Sequence, residues 1–237
     1  MVGFQVSIGA LNDRLDAERD RGHKPGKPIP AGLIGQGSAN AVVVGGLGLG
    51  LGLSLIAGPA VALVGAAGVA TGYLYDLRLK ATAWAWLPFA VGLPLLPIYA
   101  WLGATARIPA AFGVLVPLAI PAGAAVALLN GLVDVERDRA AGVRTPAVRL
   151  GPARARWLAG GLLAIVVVGV VGSLVAIGAA IGAGALAGAG VAAVVVGLAL
   201  IGDREPARRE RAWETGAVGI GLLAAGWALG FAGRGLL

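Results

Sequence analysis

Two short runs carry the residues best suited to hold a metal ion. Each has an asparagine followed by aspartates four and eight residues later: Asn12, Asp16 and Asp20, then Asn130, Asp134 and Asp138. A spacing of four places such side chains on one face of a helix. Stacked carboxylates repel each other unless a cation lies between them. Carboxylate oxygens suit Mg²⁺, which usually also binds substrate phosphate, so the runs predict a Mg²⁺ site for a phosphorylated substrate.

The second run repeats more of the first than its spacing. The pattern Asp-x-Glu-Arg-Asp-Arg occupies 16–21 and again 134–139. One run alone fits a solvated helix end with i,i+4 charge pairs as well as it fits a metal site. The second copy favours the metal site. Glu18 and Glu136 point away from the aspartate face, and we expect them to pair with nearby arginines, namely Arg14, Arg21 or Arg139.

The elements that position these runs are apolar helices. The chain has 237 residues, of which 58% are hydrophobic and 13% charged, and a mean hydropathy of +0.85. The segments 33–74 and 157–202 contain no charged residue. About 20 apolar residues cross a bilayer, so each segment holds two spans. Cysteine is absent, which excludes a disulfide framework, a thiolate metal site and a cysteine nucleophile. The composition predicts an integral, multi-pass membrane protein.

The apolar pattern predicts an all-α transmembrane bundle of about eight helices in a single domain, 1–237. The first helix contains Met1–Leu11 and continues into the first acidic run. The other seven are predicted at 33–57, 59–75, 83–103, 109–133, 157–177, 180–201 and 212–233. Eleven helical residues cover only ~16 Å, about half a bilayer. We therefore expect the chain to begin within a span.

The cations predict the orientation. If the acidic runs face the cytoplasm, seventeen of the nineteen lysines and arginines lie on that side, and Arg107 and Arg234 lie on the other. This asymmetry satisfies the positive-inside rule. The net charge of +7 therefore reports orientation and attraction to anionic lipid or substrate, and no nucleic-acid partner is expected. We expect a prokaryotic cell membrane, with the acidic runs on its cytoplasmic side.

Both runs end helices on the same side of the membrane, so six side chains could converge there. Two or more Mg²⁺ ions between them would bind a diphosphate, neutralise its charge and make it a better leaving group. Cations from the neighbouring loops would contact the remaining phosphate oxygens. The leading candidates are Lys27, Arg78, Lys80 and Arg139.

Three motifs in order resemble a known family. Asn12-Asp-x-x-Asp16-x-x-x-Asp20, followed by Lys27-Pro-Ile-Pro-x-Gly32, is similar to the first signature of the UbiA superfamily of intramembrane prenyltransferases. Asp134-x-x-x-Asp138-Arg139-x-x-Gly142-x-x-Thr145-Pro146, followed by Leu150-Gly151, resembles its second signature. Between them, Tyr75-Asp-Leu-Arg-Leu-Lys80 resembles its tyrosine-to-lysine element. The resemblance covers essentially the whole chain.

The resemblance implies a nine-helix bundle around a cavity that opens to lipid, and Mg²⁺-dependent transfer of a prenyl group from a prenyl diphosphate to an acceptor. By this resemblance Asn12, Asp16, Asp134 and Asp138 hold Mg²⁺ and diphosphate, and Asp20 supports them. Lys80 contacts the diphosphate. Asp16, Asp134 and Lys80 are thus the expected catalytic residues. The expected substrate-binding residues are Asn12, Lys27, Tyr75, Arg78 and Arg139, and the expected metal ligands also include Asn130.

The chain departs from the family pattern in three places. Tyr75 and Lys80 are five residues apart, where many members have four. Lys27 stands where the family often has arginine, which loses bidentate phosphate recognition. The family's first helix precedes the first signature and has no counterpart here.

An aromatic or lipid-type acceptor, lipophilic and electron-rich, would attack the allylic cation in the membrane. Aromatic side chains at 84–101 could shield that cation, with Phe89 the open candidate; Trp84 and Trp101 are better explained as an interfacial belt. The same site could serve a terpene cyclase or transfer a phosphoribosyl group. A transport protein or a non-catalytic member is a further alternative, and the absence of charge at the midplane of the later helices disfavours transport.

Overall fold

The computed structural model describes residues 1–20, 27–29 and 31–237, with only the backbone of Arg19 and Asp20. Every regular element in these residues is a helix, which confirms the all-α class. Within this part of the chain, seven helices are long and apolar enough to cross a membrane. Together with the shorter N-terminal helix of 14 residues, they correspond to the eight predicted helices.

The helices follow one another with short connections. In chain order they are α1 (Val2–Leu15), α2 (Ala17–Asp20), α3 (Gln36–Ala57), α4 (Pro59–Leu74), α5 (Leu87–Thr105), α6 (Phe112–Val133), α7 (Val135–Ala140), α8 (Pro146–Leu150), α9 (Pro152–Ala176), α10 (Ile181–Leu200) and α11 (Pro206–Ala232). A π-helical turn, Tyr75–Leu79, continues α4. Gly58, with φ +132°, separates α3 from α4, a conformation that residues with a Cβ rarely adopt.

Several boundaries differ from the predicted ones. Helix α11 begins at Pro206, not at 212, and α9 begins at Pro152, not at 157. Conversely, α5 begins at Leu87, later than the predicted 83. The segment 134–156 was predicted as a loop and contains α7 and α8. Hydropathy marks the hydrocarbon layer, whereas a helix continues through charged residues into the interface.

The contacts between residues divide the chain into two compact units, each described by itself. Unit 1 contains Met1–Lys80 and Leu95–Ile108, and unit 2 contains Ala81–Pro94 and Pro109–Leu237. The first acidic run lies in unit 1 and the second in unit 2. That the whole chain acts as one domain stays a prediction.

In unit 1, α1 packs closely on α3. A Cβ on Gly3 would lie 2.7 Å from the carbonyl oxygen of Gly46, so only glycine permits this approach. Ser7 is fully buried, and its hydroxyl donates to the carbonyl oxygen of Val43 at 2.6 Å and shares a 2.6 Å hydrogen bond with the Tyr73 hydroxyl. These contacts hold the helix that carries the first run against α3 and α4.

Unit 2 has the larger apolar core. Buried side chains of α6, α9, α10 and α11 form most of it, including Leu129, Leu163 and Trp227. Helices α10 and α11 approach through small residues: a Cβ on Gly219 would lie 2.7 Å from the backbone nitrogen of Val194. Small residues at such contacts are typical of helices packed within a membrane.

The outer faces of the long helices are apolar. Ile56 is 85% exposed and Ile181 is 92% exposed, and Val168 and Leu63 are also largely uncovered. Exposed aliphatic side chains on this scale fit contact with lipid tails rather than water.

Candidate functional site

Both acidic runs interrupt their helix at the middle aspartate. Helix α1 ends at Leu15 and Asp16 is its C-cap, with φ −89° and ψ 0°. Helix α6 ends at Val133, and Asp134, with φ −108° and ψ 15°, separates it from α7. The helix that the spacing of four predicted through each run is therefore interrupted at the middle aspartate, although Asn12 and Asp16 still share one face and contact the same lysine. Each run has its asparagine on a long helix and its last aspartate on a short one.

In unit 1, Asn12 and Asp16 share one cation. The Lys80 ammonium donates to Asn12 Oδ1 at 2.5 Å and to Asp16 Oδ2 in a short ion pair. The Lys80 side chain is 23% exposed and that of Asp16 is 17% exposed, so water only partly screens the pair. Two oxygens of the predicted metal ligands thus converge on one positive charge.

The π-helical turn after α4 delivers Lys80 to this position. The backbone N–H of Lys80 donates to the carbonyl oxygen of Tyr75 at 2.9 Å, a hydrogen bond that spans five residues. A π turn contains one residue more than an α turn. The spacing of five between Tyr75 and Lys80 and the π turn are therefore one feature. Tyr75 itself is half-buried at the first position of the turn.

A second ion pair lies beside the first. Lys27 Nζ is 2.7 Å from Asp13 Oδ1, and both side chains are 24% exposed. Asp13 precedes Asp16 by three residues, so the pair extends the charged cluster at the end of α1. Lys27 was predicted to bind phosphate, and here its charge is directed to a carboxylate.

Asp76 is an acidic residue that its spacing did not mark as part of the site. Within the described part of the chain its Oδ2 atom is buried and has no hydrogen-bond partner. The charges that act on it most strongly are those of Lys80, Asp16, Lys27 and Asp13. Its place one residue after Tyr75 and four before Lys80 was the available signal. Unit 1 therefore gathers three acidic side chains and two lysines near Asn12.

In unit 2 the second run is arranged differently. Asn130 is half-buried in the last turn of α6. Asp134 Oδ2 accepts from Arg137 Nη2 at 2.7 Å, and Asp138 is buried in α7 with 7% exposure. The backbone N–H of Asp138 donates to the Asp134 carbonyl oxygen at 2.9 Å, which fixes the turn between them.

Glu136 pairs with Arg209, so the expected pairing with Arg139 is wrong. Arg209 Nη1 donates to Glu136 Oε1 at 2.9 Å, and Nη2 donates to Oε2 at 2.5 Å. The hydrogen bond from Arg209 lowers the pKa of Glu136. Arg209 lies 73 residues away in sequence, inside a run of arginines, and nothing in that run distinguishes it from Arg208.

The remaining predicted residues are less constrained. Arg78 and Arg139 are exposed, so an anionic ligand could reach both side chains. Asp20 closes α2, and its side chain lies outside the described residues. The interfacial explanation for Trp84 fits its 59% exposure and its position before α5.

The donor chemistry fits Mg²⁺ bound together with a phosphorylated ligand. Among the described residues, no group of three acidic or histidine side chains is arranged to hold a metal by itself. Asn12 and Asp16 nevertheless bring two oxygens to one cation. Mg²⁺ is usually held by one or two carboxylates plus substrate phosphates, and this pair meets that requirement.

These features define an integral, multi-pass membrane protein with acidic runs at its helix ends. The family model of the UbiA prenyltransferase family matches residues 1–220. The chain belongs to the UbiA prenyltransferase family.

Curated relatives include both plant and archaeal proteins. The chain is 31% identical to the chloroplastic chlorophyll synthase of Arabidopsis thaliana over 195 residues, which cover 75% of this chain and 48% of that protein. It is 29% identical to the digeranylgeranylglyceryl phosphate synthase of Ignicoccus hospitalis over 153 residues, which cover 60% of this chain and 49% of that protein. The chain thus spans about half the length of the curated relatives it matches.

Solved structures share the fold. A UbiA homolog from Aeropyrum pernix K1 superposes with a TM-score of 0.70 at 19% identity, over 94% of this chain and 84% of the other. A UbiA homolog from Archaeoglobus fulgidus bound to DMAPP and Mg²⁺ gives a TM-score of 0.60 at 19% identity, over 99% of this chain and 83% of the other.

Proposed function

We propose that this protein transfers a prenyl group from a prenyl diphosphate to a lipophilic acceptor within the membrane, with Mg²⁺ as cofactor. The observation that carries the proposal is the convergence of Asn12 and Asp16 oxygens on one cation at the end of α1. Family membership supports the same reaction class. The Archaeoglobus fulgidus homolog was solved with DMAPP and Mg²⁺, which is the substrate and metal class proposed here.

The chain's residues divide the work between binding and charge stabilisation. Asn12 and Asp16 would hold Mg²⁺, which when bound neutralises charge on the diphosphate and makes it a better leaving group. Lys80, released from Asp16 when the metal binds, would turn its ammonium to a phosphate oxygen. Lys27 and the exposed Arg78 would provide further donors to the diphosphate.

In the reaction the bond between C1 of the prenyl group and the diphosphate oxygen breaks, and its electron pair leaves with diphosphate. An electron pair of the acceptor forms the new bond to C1, and the acceptor loses a proton. Lys80 and Arg78 stabilise the charge that develops on the leaving oxygen. An apolar environment around the allylic carbon would keep water from it.

The second run is proposed to bind Mg²⁺ and diphosphate as well. Its Asn130, Asp134 and Asp138 repeat the residue types and spacing of the first run, and both runs break at the middle aspartate. We propose that Asp134 and Asp138 bind Mg²⁺, that Asp20 and Asn130 support the two sets, and that Arg139 contacts phosphate. Tyr75 is proposed to contact the substrate from the π turn.

Two kinds of acceptor follow from the relatives' names. One makes chlorophyll and the other digeranylgeranylglyceryl phosphate, so an aromatic ring system and a lipid are both acceptors to test. The exposed apolar helix faces support an acceptor that arrives from the bilayer.

The test supplies radiolabelled prenyl diphosphates of several lengths, Mg²⁺ and a membrane lipid extract or an aromatic acceptor. Asp16→Asn and Asp134→Asn should each lower product formation by at least about 100-fold. Glu210→Gln removes an exposed acidic charge on α11 and should leave product unchanged. Unchanged product in both aspartate variants would overturn the proposal. A cyclic hydrocarbon as product in place of an alkylated acceptor would do so as well.

We also propose that both runs face the cytoplasm of a prokaryotic cell. The asymmetry of lysine and arginine supports this orientation. Because the chain has no cysteine, single cysteines report position directly. Arg208→Cys should resist a membrane-impermeant maleimide in intact cells and react after lysis, whereas Arg107→Cys should react in intact cells. The reverse pattern would contradict the orientation.

A further inference from the structure

The Arg209 side chain is buried where its own helix does not favour it. It lies in the first turn of α11, near the N-terminal end, where the helix dipole disfavours a cation. The side chain is only 7% exposed. A buried guanidinium is costly unless other groups compensate its charge and its N–H donors. The hydrogen-bond partners of Arg209 therefore decide how much its burial costs the folded protein.

Those partners lie on both sides of the break in the second run. Before the break, Arg209 Nη2 donates to the carbonyl oxygen of Val133, the last residue of α6, at 3.0 Å. After the break, the same guanidinium binds both carboxylate oxygens of Glu136 in α7, at 2.9 and 2.5 Å. Asp134 is the residue between these two contacts. One planar group thus connects the end of α6 to the start of α7.

This connection restricts the angle between the two helices. The Val133 carbonyl belongs to a helix C-terminus, which lacks intrahelical donors and attracts a cation. The bidentate contact with Glu136 fixes direction as well as distance. Because α7 carries Asp138 and begins after Asp134, its direction determines where both carboxylates point.

We propose that Arg209 is a positioning residue of the second acidic run, which acts by binding Val133 and Glu136 on either side of Asp134. The inference rests on the proposed function, since it takes Asp134 and Asp138 to bind Mg²⁺ and diphosphate. Arg209 touches neither aspartate in the described contacts and acts through the backbone that presents them. Glu136, whose side chain is 62% exposed, serves as the anchor of this connection and not as a metal ligand.

Neighbouring Arg208 provides the matched control. It lies one position earlier on α11, with a side chain that is 67% exposed, and its partners are Asp203 at 3.5 Å and Glu205 at 3.0 Å. Both partners belong to the connection before α11 or its N-cap. Removal of Arg208 therefore deletes the same charge from the same helix turn without touching the second run.

The experiment compares Arg209→Gln, Arg209→Lys, Glu136→Gln and the double variant R209Q/E136Q with Arg208→Gln. The first readout is Mn²⁺ affinity in the presence of inorganic diphosphate, measured by electron paramagnetic resonance of free Mn²⁺. The second is the Mg²⁺ concentration for half-maximal prenyl transfer, and the third is the thermal unfolding midpoint. Glu136→Gln changes an exposed side chain, so it keeps the test decisive if Arg209→Gln does not fold.

We expect Arg209→Gln and Glu136→Gln each to weaken Mn²⁺ binding by about tenfold, as loss of a group that orients metal ligands does. The double variant should be no weaker than the single ones, because one connection is lost in each. Arg209→Lys should recover part of the affinity, and Arg208→Gln should match the wild type. Lower unfolding midpoints with wild-type Mn²⁺ affinity and wild-type Mg²⁺ dependence would overturn the inference, since Arg209 would then be structural alone.

Failure of the proposed function gives a different result. A wild-type protein that transfers no prenyl group overturns that function, and the Mn²⁺ affinities of the variants still decide the role of Arg209. An active wild type whose Arg209→Gln and Glu136→Gln variants bind Mn²⁺ normally overturns the positioning role alone.

Discussion

The backbone N–H of Lys80 donates to the carbonyl oxygen of Tyr75, five residues earlier, at 2.9 Å. This hydrogen bond closes the π turn that brings the Lys80 ammonium to Asn12 and Asp16. Because a π turn contains one residue more than an α turn, it accommodates the spacing of five while Lys80 still reaches the site. The spacing that departs from the family pattern is thus a local change in helix type.

Removal of that additional residue should convert the π turn into an α turn. Leu77 is 54% exposed, so its deletion costs little apolar burial, and Lys80 would follow Tyr75 at the spacing of four. We expect the free energy of unfolding to change by less than about 1 kcal/mol and activity to be retained. Deletion of Gly68 in the middle of α4 is the control. It rotates Lys80 by about 100° around the helix and should abolish activity. Equal loss in both deletions would contradict the prediction.

Substitution of Lys80 should separate metal binding from catalysis. In Lys80→Met the ammonium that binds both Asn12 Oδ1 and Asp16 Oδ2 is lost. A divalent cation then binds these oxygens without competition from the lysine. Mn²⁺ should bind more tightly, whereas prenyl transfer should fall by about 100-fold because a charge on the leaving oxygen is missing. Calorimetry of Mn²⁺ binding and the transfer assay measure the two effects. Weaker Mn²⁺ binding in this variant would show that the lysine does not compete with the metal.

The contact between α10 and α11 should tolerate no side chain at Gly219. A Cβ there would lie 2.7 Å from the backbone nitrogen of Val194, so Gly219→Ala should destabilise the protein by about 1–3 kcal/mol. Gly221, two residues later on the same helix, has nothing within 4 Å of such a Cβ. Gly221→Ala should be neutral or stabilise by up to about 1 kcal/mol through helix propensity. Unfolding in detergent with increasing denaturant measures both, and equal midpoints would refute the close contact.

The pair of Glu136 and Arg209 should make stability depend on pH in the acidic range. The hydrogen bond from Arg209 lowers the pKa of Glu136 from its ordinary value of 4.5. The unfolded state therefore takes up the proton first, and the stabilisation is present above pH ~4.5 and lost as the pH falls through the lowered value. Unfolding midpoints of wild type and Glu136→Gln should differ at pH 7 and converge under acid. A constant difference would contradict the prediction. The exposed Glu136 carboxylate makes the effect smaller at high salt.

Hydropathy and residue spacing predicted much of this fold. In lipid, a charge-free segment such as 157–202 is expected to form helices, because every backbone N–H and C=O group must be hydrogen-bonded within the segment. The all-α class, the transmembrane helices and the acidic runs at helix ends follow from that requirement. Asn12 and Asp16 were selected by residue type and spacing, and the structure brings both to the same cation.

The sequence alone did not predict the contacts that depend on the direction in which side chains point. A spacing of four is compatible with a continuous helix, so the breaks at Asp16 and Asp134 had no signal in it. Arg209 lies in a basic run whose charges the predicted membrane orientation already explained, so nothing in the sequence indicated that it is buried. Its burial depends on the packing of α11 against the end of α6. Lys80 was expected to contact a phosphate, whereas in the structure its ammonium pairs with the Asp16 carboxylate.

The ion pair of Lys80 with Asp16 has a consequence for how the protein is made. A site built from carboxylates alone would carry an uncompensated negative charge at the membrane surface until a metal arrived, and the chain would need Mg²⁺ to fold. Here an internal counter-ion, the Lys80 ammonium, offsets the charge of Asp16 in the folded protein. We therefore expect this part of the fold to form without a bound metal, and a metal that binds Asn12 and Asp16 would displace the Lys80 ammonium from them.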